Sequence, residues 1–338
     1  MDAGAALDVF RCHLWKFRHP SKIGRFDGCW SEGRGVISFV ITARAESPEV
    51  LGRTVDELRA TTASVDREII VVDDGTSVPV TGLAREVRIL RHDAPMGSAL
   101  SRREGCAAST GDILVVLDAH MTFEPGWLTR MLEHVASGAL LCAAYWDYER
   151  TVSACYGADL EWCGERDYAR GRFPGFHGVP RTEDPGAGAT DVPMLLGACY
   201  MMLRTSYELL GGYSPLFRVW GAEEQDLSIR AWASGLAVRC VADARVGHLT
   251  RRAFPYPVSY DEVEFNQLAM IQSIFDWRTI RAVEEHFMPL SPAVRAWLES
   301  ADVASWRRTI QRAKCRDDRE LFAHLIPTML EVLDARNF

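Results

Sequence analysis

The amino-acid sequence predicts an α/β protein built on a parallel sheet, because three buried β-branched runs alternate with helical patterns. The three runs occupy residues 36–42, 68–72 and 112–117, and each is too short for a helix and too apolar for an exposed edge strand. Apolar residues at helical spacing over 47–61 separate the first two runs, which makes them a βαβ unit. Ligands of such sheets bind beyond the carboxyl ends of the strands, so the polar residues that end these runs are the first functional candidates.

Weaker patterns predict the remaining elements. Further strands are predicted at 87–90, 194–203 and 237–241, and helices at 98–108, 127–136 and 223–234. The segment 147–191, rich in Gly, Pro, Arg and aromatic residues, predicts a long functional loop. Beyond residue 256 the chain is predicted to be helical, first with a stripe formed by Val263, Met270, Ile271, Ile274 and Phe275, and finally with one helix that carries Leu321, Leu325, Met329 and Leu333.

Composition excludes several classes of protein. The 338 residues are 48% hydrophobic and 25% charged, and 38 basic against 46 acidic residues give a formal charge of -8. No broad positive field is therefore available to bind nucleic acid or an anionic membrane. No run approaches the roughly 18 to 20 apolar residues of a membrane span, and the nine cysteines contain no CxxC pair. We predict a complete cytoplasmic protein whose partner is a small molecule or a neutral polymer.

The strongest site signal is a carboxylate and an imidazole at the end of the third run. Asp118 and His120 are two residues apart, so in an extended chain both side chains point the same way. His248 follows another strand, after a small residue that lets the backbone approach a ligand. Together the three residues form a ligand set for a divalent metal of the manganese type that can bridge a diphosphate. Taken singly, Asp118 suits a turn cap, His120 a loop residue and His248 a structural histidine.

Other polar residues gather at the same predicted edge. Asp73 and Asp74 end the second strand, where they suit a base or ribose, or the capping of a turn. Arg102, on the helix after Gly97, faces this edge and suits a phosphate or a solvated surface.

Two later segments add acids, bases and aromatic residues. Glu223 and Glu224 begin a helix whose dipole stabilises carboxylates, while the preceding Trp220 and its glycine resemble a hinged lid. A basic segment follows His248 closely enough to contact a metal-bound diphosphate, unless it is a solvated turn; its residues are Arg251, Arg252 and Tyr256.

These motifs, taken in order, resemble a glycosyltransferase of the GT-A fold, and specifically the polypeptide N-acetylgalactosaminyltransferases and their bacterial family-2-like relatives. The resemblance implies that the parallel strands form the Rossmann-like nucleotide-binding part of a mixed central sheet. The similarity covers residues 36–275. It rests on VVDDGT (71–76), GSALSRREG (97–105), VLDAH (116–120), VPMLLGACYMM (192–202), WGAEEQDLSIRAWASG (220–235) and VGHLTRRAFPY (246–256).

The resemblance implies roles for individual residues. It implies that Asp118, His120 and His248 bind Mn²⁺ (or Mg²⁺), and that the donor is a UDP-sugar. Contacts to that donor are implied for Thr42, Asp73, Asp74, Gly97, Arg102, Asp118, Gly197, Trp220, Arg251, Arg252 and Tyr256. Glu223 matches a sugar or acceptor contact, and Arg252 stands where the family usually has Lys.

The sequence also departs from the family pattern. A paired glycine that contacts the sugar appears as Gly197-Ala198, which predicts that a methyl group intrudes on the sugar. WGGEN has become WGAEE, so Glu224 stands where inverting GT-A enzymes keep a catalytic base. Inversion needs such a base, with Glu223 as its support, whereas retention can use the leaving diphosphate.

The sequence thus predicts a metal-dependent transferase that moves a hexose or N-acetylhexosamine from a UDP-sugar to a soluble small-molecule or peptide acceptor. The predicted organisation is a lead-in (1–35), a GT-A catalytic domain (36–256) and a helical extension (257–338). Within the catalytic domain, residues 36–120 are the nucleotide-binding half and 121–256 the acceptor half. A nucleotide-sugar-binding regulatory protein is the alternative. A dinucleotide dehydrogenase is disfavoured because no GxGxxG follows the first strand. The sequence leaves open the identity of the sugar, the identity of the acceptor and the oligomeric state, for which a homo-oligomer is one alternative.

Overall fold

The computed structural model of the protein describes residues 35–151, 154–251 and 253–335. Nearly all of the lead-in that the sequence predicts, together with Arg252, lies outside these described residues. Within them the chain forms an α/β fold with a mixed central sheet and a helical C-terminal region, as the sequence predicts.

The first half of the chain builds regular alternating elements. Its strands are β1 (Ile37–Ala43), β2 (Arg67–Asp73), β3 (Val87–Arg91), β4 (Ile113–Asp118), β5 (Met121–Phe123) and β6 (Leu140–Asp147). Its helices are α1 (Pro48–Thr61), α2 (Ser98–Ala108) and α3 (Trp127–Val135). Helix α1 begins where Ser47 caps it, because the Ser47 side chain accepts a hydrogen bond from the N–H of Val50 at 3.2 Å and Pro48 fixes the first helical position.

The second half adds shorter strands and then helices. Its strands are β7 (Ala158–Cys163), β8 (Gly175–Pro180), β9 (Ala189–Asp191), β10 (Cys199–Leu203) and β11 (Val238–His248). Its helices are α4 (Arg204–Leu209), α5 (Glu223–Ala233), α6 (Tyr260–Ile274), α7 (Trp277–Glu284), α8 (Pro292–Ser300), α9 (Val303–Ala313), α10 (Asp318–Leu325) and α11 (Thr328–Asp334).

A nine-stranded sheet organises the molecule, with the strand order β3-β2-β1-β4-β10-β6-β11-β5 and with β9 paired to β11. Strands β3, β2, β1 and β4 are parallel to one another, whereas β10 runs antiparallel between β4 and β6. Successive residues of the central strands pack into two hydrophobic clusters, with Val40 and Val116 in one and Ile41 and Leu117 in the other. Both faces of the sheet are therefore covered, which explains why these strands appear in the sequence as continuous apolar runs.

Several sequence predictions for the second half are wrong. The segment 147–191 is not a long loop, because it contains the two-stranded antiparallel sheet β7-β8 and strand β9. The sequence analysis missed β6 altogether, and β10 begins at Cys199 rather than at residue 194. The single final helix is instead two helices, because Pro327 has no backbone N–H and cannot continue α10.

The C-terminal helices are anchored by the stripe that the sequence predicts, and the helix that carries it, α6, packs against β8, α8 and α9. Val263, Met270, Ile271, Ile274 and Phe275 are all buried. Ser259 and Glu262 form a reciprocal capping box at the start of α6. None of the helices in the described part of the chain is both long and apolar enough to cross a membrane.

Candidate active site

A cavity of about 620 Å³ opens beyond the carboxyl ends of β1, β4 and β11. Most of the residues that the sequence analysis selected line it. They are Thr42, Asp74, Arg102, Asp118, His120, Gly197, Trp220, Glu224, His248, Arg251 and Tyr256. Asp73, Gly97 and Glu223 do not line the cavity in the described structure, and Arg252 lies outside the described residues.

A carboxylate and two imidazoles converge at one side of this cavity. Asp118 ends β4, and His248 ends β11, where it pairs with Met121 of β5 and so comes next to His120. One ligand atom from each of Asp118, His120 and His248 lies within 4.8 Å of the others. Oxygen and imidazole ligands at this separation fit a divalent cation.

The carboxylate of Asp118 is held in its charged form. Burial opposes ionisation, but the hydrogen bond from His248 and the positive charge of Arg102 outweigh burial and hold the pKa of Asp118 well below its usual range. The Asp118 Oδ2 and His248 Nε2 atoms are 3.4 Å apart. Asp118 is therefore ready to bind a cation without first losing a proton.

Glu46 is a functional candidate that the sequence analysis missed. Its side chain is only 4% exposed, and an oxygen of its carboxylate lies 2.8 Å from Nδ1 of His120. Burial opposes the charge of Glu46, but hydrogen bonds from His120 and Arg251 prevail and lower its pKa. A carboxylate on Nδ1 orients the imidazole so that Nε2 faces a metal, an arrangement common around metal-binding histidines. The sequence signal that could have identified Glu46 is its place three residues after the end of β1, near the edge of the sheet where the other polar residues gather.

Arg102 links the metal-site carboxylate to a second acid. One guanidinium nitrogen lies 3.0 Å from Asp118 Oδ1, and another lies 2.8 Å from Glu224 Oε1. The Tyr200 hydroxyl donates to the same Glu224 oxygen. Because Arg102 is 6% exposed and paired with two carboxylates, it holds Glu224 beside the cavity instead of offering a free charge to phosphate.

The two adjacent glutamates have different surroundings. Glu223 is buried, accepts a hydrogen bond from the N–H of Gly221 at 2.8 Å and accepts another from the Ser98 hydroxyl. Burial, together with the nearby charge of Glu224, raises the pKa of Glu223 to about 7. Glu223 thus fixes the loop around the cavity, whereas Glu224 lines the cavity itself.

The carboxylates that end β2 anchor loops. The Asp73 carboxylate is buried and accepts hydrogen bonds from Thr76, Val80 and Arg91, which accounts for its absence from the cavity wall. Asp74 reaches the wall, where one oxygen accepts from Met96 at 2.7 Å and the other from Gly97 at 3.0 Å.

Three expectations for small residues need correction. Ala198 is 1% exposed and packs in a hydrophobic core cluster, so its methyl group does not intrude on a sugar. A Cβ atom on Gly247 would lie 2.1 Å from Thr122 Oγ1, so this glycine lets β11 pack on β5 and not on a ligand. A Cβ on Gly97, whose φ is +98°, would meet the backbone of Val219 at 2.7 Å. This glycine thus lets two segments of the chain pack together and does not line the cavity as a donor contact would.

The far end of the cavity is apolar. Its wall is formed by β8, the segment before β10, and α6, with Phe173, His177, Met194, Leu196 and Val263 among the lining residues. The His177 ring nitrogen Nε2 lies 2.9 Å from the carbonyl oxygen of Phe173. Burial lowers the pKa of His177, so its imidazole is neutral near pH 7.

Aromatic residues of two loops meet at the mouth of the cavity. The rings of Trp220 and Phe254 are 4.6 Å apart between centroids, and Phe254 packs 5.9 Å from Tyr256. Trp220 is 38% exposed and Phe254 is 46% exposed, so the pair lies at the surface. The segment 253–256 therefore contacts the segment before α5 across the mouth.

Comparisons with known families agree with this architecture. Residues 38–210, just over half of the chain, match the family model of glycosyl transferase family 2. Residues 188–252 match a second model, described as the N-terminal domain of galactosyltransferase.

Similar proteins are polypeptide N-acetylgalactosaminyltransferases. The chain is 26% identical to number 11 of Xenopus tropicalis over 86% of its own length and 50% of that protein, and 30% identical to number 16 of Mus musculus over 65% and 41%. The chain thus spans half or less of the length of these relatives. The fold is similar to that of GalNAc-T7, solved with UDP, GalNAc and Mn²⁺, with a TM-score of 0.65 at 18% identity over 88% of this chain and 58% of that one.

Proposed function

Because the chain belongs to glycosyl transferase family 2, we propose that it is a metal-dependent enzyme that transfers a hexose or N-acetylhexosamine from a UDP-sugar to a hydroxyl group of a soluble small-molecule or peptide acceptor. The observation that carries this proposal is the convergence of Asp118, His120 and His248 beside the cavity-lining carboxylate of Glu224. The relatives, whose names specify N-acetylgalactosaminyl transfer, and the GalNAc-T7 structure, which contains UDP and Mn²⁺, support the choice of donor and metal.

The donor would lie along the carboxyl ends of the strands. Thr42 and Asp74 line the cavity at the ends of β1 and β2, where they suit the nucleoside. Asp118, His120 and His248 would hold the divalent cation, which when bound supplies positive charge to the departing diphosphate. Glu46 would keep His120 oriented and Arg251 beside it.

Glu224 is suited to remove the acceptor proton in an inverting reaction. Among the described residues, its hydrogen bonds from Arg102 and Tyr200 both end on Oε1, which fixes the carboxylate and leaves Oε2 for the acceptor. The acceptor oxygen forms a bond to the anomeric carbon as its proton passes to Glu224. The bond from that carbon to the diphosphate breaks, and UDP leaves with the bonding electrons.

The acceptor would enter from the apolar end. Phe173, just before β8, and His177, within β8, line the cavity together with Val263 of α6. No charged side chain of the described structure lines this end beyond Glu224, and His177 is neutral. Such a wall suits an acceptor whose body is uncharged near the reacting hydroxyl group.

A donor hydrolysis assay tests the proposal. A glycosyltransferase slowly transfers the sugar to water, so a panel of UDP-sugars incubated with Mn²⁺ should release UDP, and chelation should stop the release. If the protein binds UDP but produces no UDP from any UDP-sugar, with or without acceptors, it is a nucleotide-binding regulatory protein and the proposal fails.

The variant Glu224→Gln tests the catalytic role. The amide keeps an acceptor oxygen for Arg102 and Tyr200 but cannot take a proton, so transfer should fall about 10²- to 10⁴-fold while UDP affinity stays the same. Exposed Glu133→Gln on α3 is the matched control. An undiminished transfer rate in Glu224→Gln rejects this base, and retained anomeric configuration in the product, read by NMR, rejects inversion.

A further inference from the structure

Three arginines of the described chain line the cavity, and two of them are neutralised by carboxylates. Arg102 pairs with Asp118 and Glu224, and Arg251 pairs with Glu46. Arg44 has no ion pair within the described residues. A cavity cation without a carboxylate partner carries a charge that a bound anion can neutralise.

The side chain of Arg44 is held in place but incompletely bonded. Its guanidinium carbon lies 4.1 Å from the centre of the Tyr256 ring, so the plane of the side chain is restrained by a cation–π contact. The Arg44 Nη1 atom is buried and has no hydrogen-bond partner in the described structure. Buried N–H donors are nearly always paired in proteins, so an orphaned one beside a cavity is a donor that a bound anion can satisfy.

The position of Arg44 indicates which part of a ligand it meets. It follows β1 midway between Thr42, at the nucleoside end of the cavity, and Glu46, which contacts the metal-site residue His120. A nucleoside diphosphate bound between the two ends must place its phosphates across this interval. The guanidinium fork presents donors in the geometry that phosphate oxygens accept.

We infer that Arg44 is a diphosphate-binding residue of the donor site and that Tyr256 is its positioning residue. This inference rests on the proposed UDP-sugar donor. It assigns the contact to a residue that the motifs did not select, and it leaves Arg102 and Arg251 with carboxylate-holding roles in the ligand-free arrangement. Tyr256 belongs to the segment 253–256, which contacts Trp220 at the mouth of the cavity. The Arg44–Tyr256 contact therefore couples donor binding to the position of that segment.

Isothermal titration of the full chain with UDP and with uridine, each in the presence of Mn²⁺, tests the inference. Arg44→Met keeps the length of the side chain and removes its charge, so UDP should bind about 10- to 100-fold more weakly while uridine binds as to the wild type. Arg44→Lys restores a charge without the planar fork and should recover part of the loss. Exposed Arg85→Met is the matched control and should change neither affinity.

The outcomes separate this inference from the donor proposal. If wild type binds UDP and Arg44→Met binds it equally well, Arg44 is not a diphosphate ligand although the donor proposal stands. Equal weakening of UDP and uridine also overturns the inference, since it places the effect on the nucleoside or on folding. If wild type itself does not bind UDP with Mn²⁺, the donor proposal fails.

Tyr256 gives a second, independent measurement. Tyr256→Phe keeps the ring face and should preserve the charge-dependent part of UDP affinity, whereas Tyr256→Leu should lose it. In the Arg44→Met background the difference between Phe and Leu at position 256 should disappear. A difference that persists unchanged in that background shows that Tyr256 does not act through Arg44.

Discussion

The two ends of the cavity use opposite chemistry. The end near β1, β4 and β11 holds carboxylates, arginines and histidines that pair with one another, such as Arg102 with Asp118 and Glu46 with His120. The end near β8 and α6 is lined by Phe173, Val263 and a neutral His177. Under the proposed function, charge would select the donor, and shape together with water exclusion would select the acceptor.

Each end follows from how it is built. The charged end collects residues that terminate strands of one sheet, so neighbouring strands bring their polar side chains together. The apolar end comes from a separate two-stranded sheet that Gln267 of α6 holds, since its side chain bonds both the N–H and the carbonyl of Phe176, at 3.0 Å and 3.1 Å.

The charged end should lower the stability of the folded protein, because the Glu223 carboxyl is buried there. A Glu carboxyl in the unfolded chain ionises near 4.5, while Glu223 in the folded protein does so at about 7, so unfolding releases a proton between these pH values. The contribution of Glu223 to the free energy of unfolding therefore falls by about 3 kcal/mol as pH rises from 4.5 to 7.

Glu223→Gln mimics the protonated side chain and should remove this decline. Denaturant unfolding of wild type and variant across this pH range measures the difference, which should grow in favour of the variant as pH rises. Exposed Glu208→Gln on α4 is the control. A difference that does not change with pH would mean that Glu223 ionises normally and that the charged end costs no stability.

A smaller effect is expected at the apolar end. Phe173→Ala removes an aromatic wall of the cavity, so KM for an acceptor that supports transfer should rise about 10-fold, as expected for a lost aromatic contact. UDP affinity and donor hydrolysis should stay unchanged, because Phe173 lies away from the charged end. Equal loss of donor hydrolysis would show that the two ends are not separable.

The charged end was also the more predictable of the two from the sequence. Strands β1, β2 and β4 are buried on both faces and alternate with helices, so their apolar runs and terminal polar residues stand out. The metal-site residues follow directly from strand ends. Glu46 and Arg44 were missed because their roles depend on contacts with His120 and Tyr256, which lie distant in the chain.

Strands β6 and β11 were less predictable, for physical reasons. Strand β6 contains two adjacent alanines, which have weak strand preference, and tertiary pairing with β11 and β10 fixes the strand. Strand β11 continues through a register shift between Val241 and Arg245, which hid its extension to His248. Ala198 shows the same limit, because only the packed structure reveals that its methyl group faces the core.

Binding of UDP with and without metal tests whether the charged end holds a diphosphate through a divalent cation. In wild type, Mn²⁺ should tighten UDP binding at least about 10-fold over a chelator, because the charged end holds diphosphate through a cation. Asp118→Asn should abolish this difference, while exposed Asp112→Asn, at the residue before β4, should retain it. Equal UDP affinity of the wild type in Mn²⁺ and in chelator would show that the charged end does not hold the diphosphate through a cation.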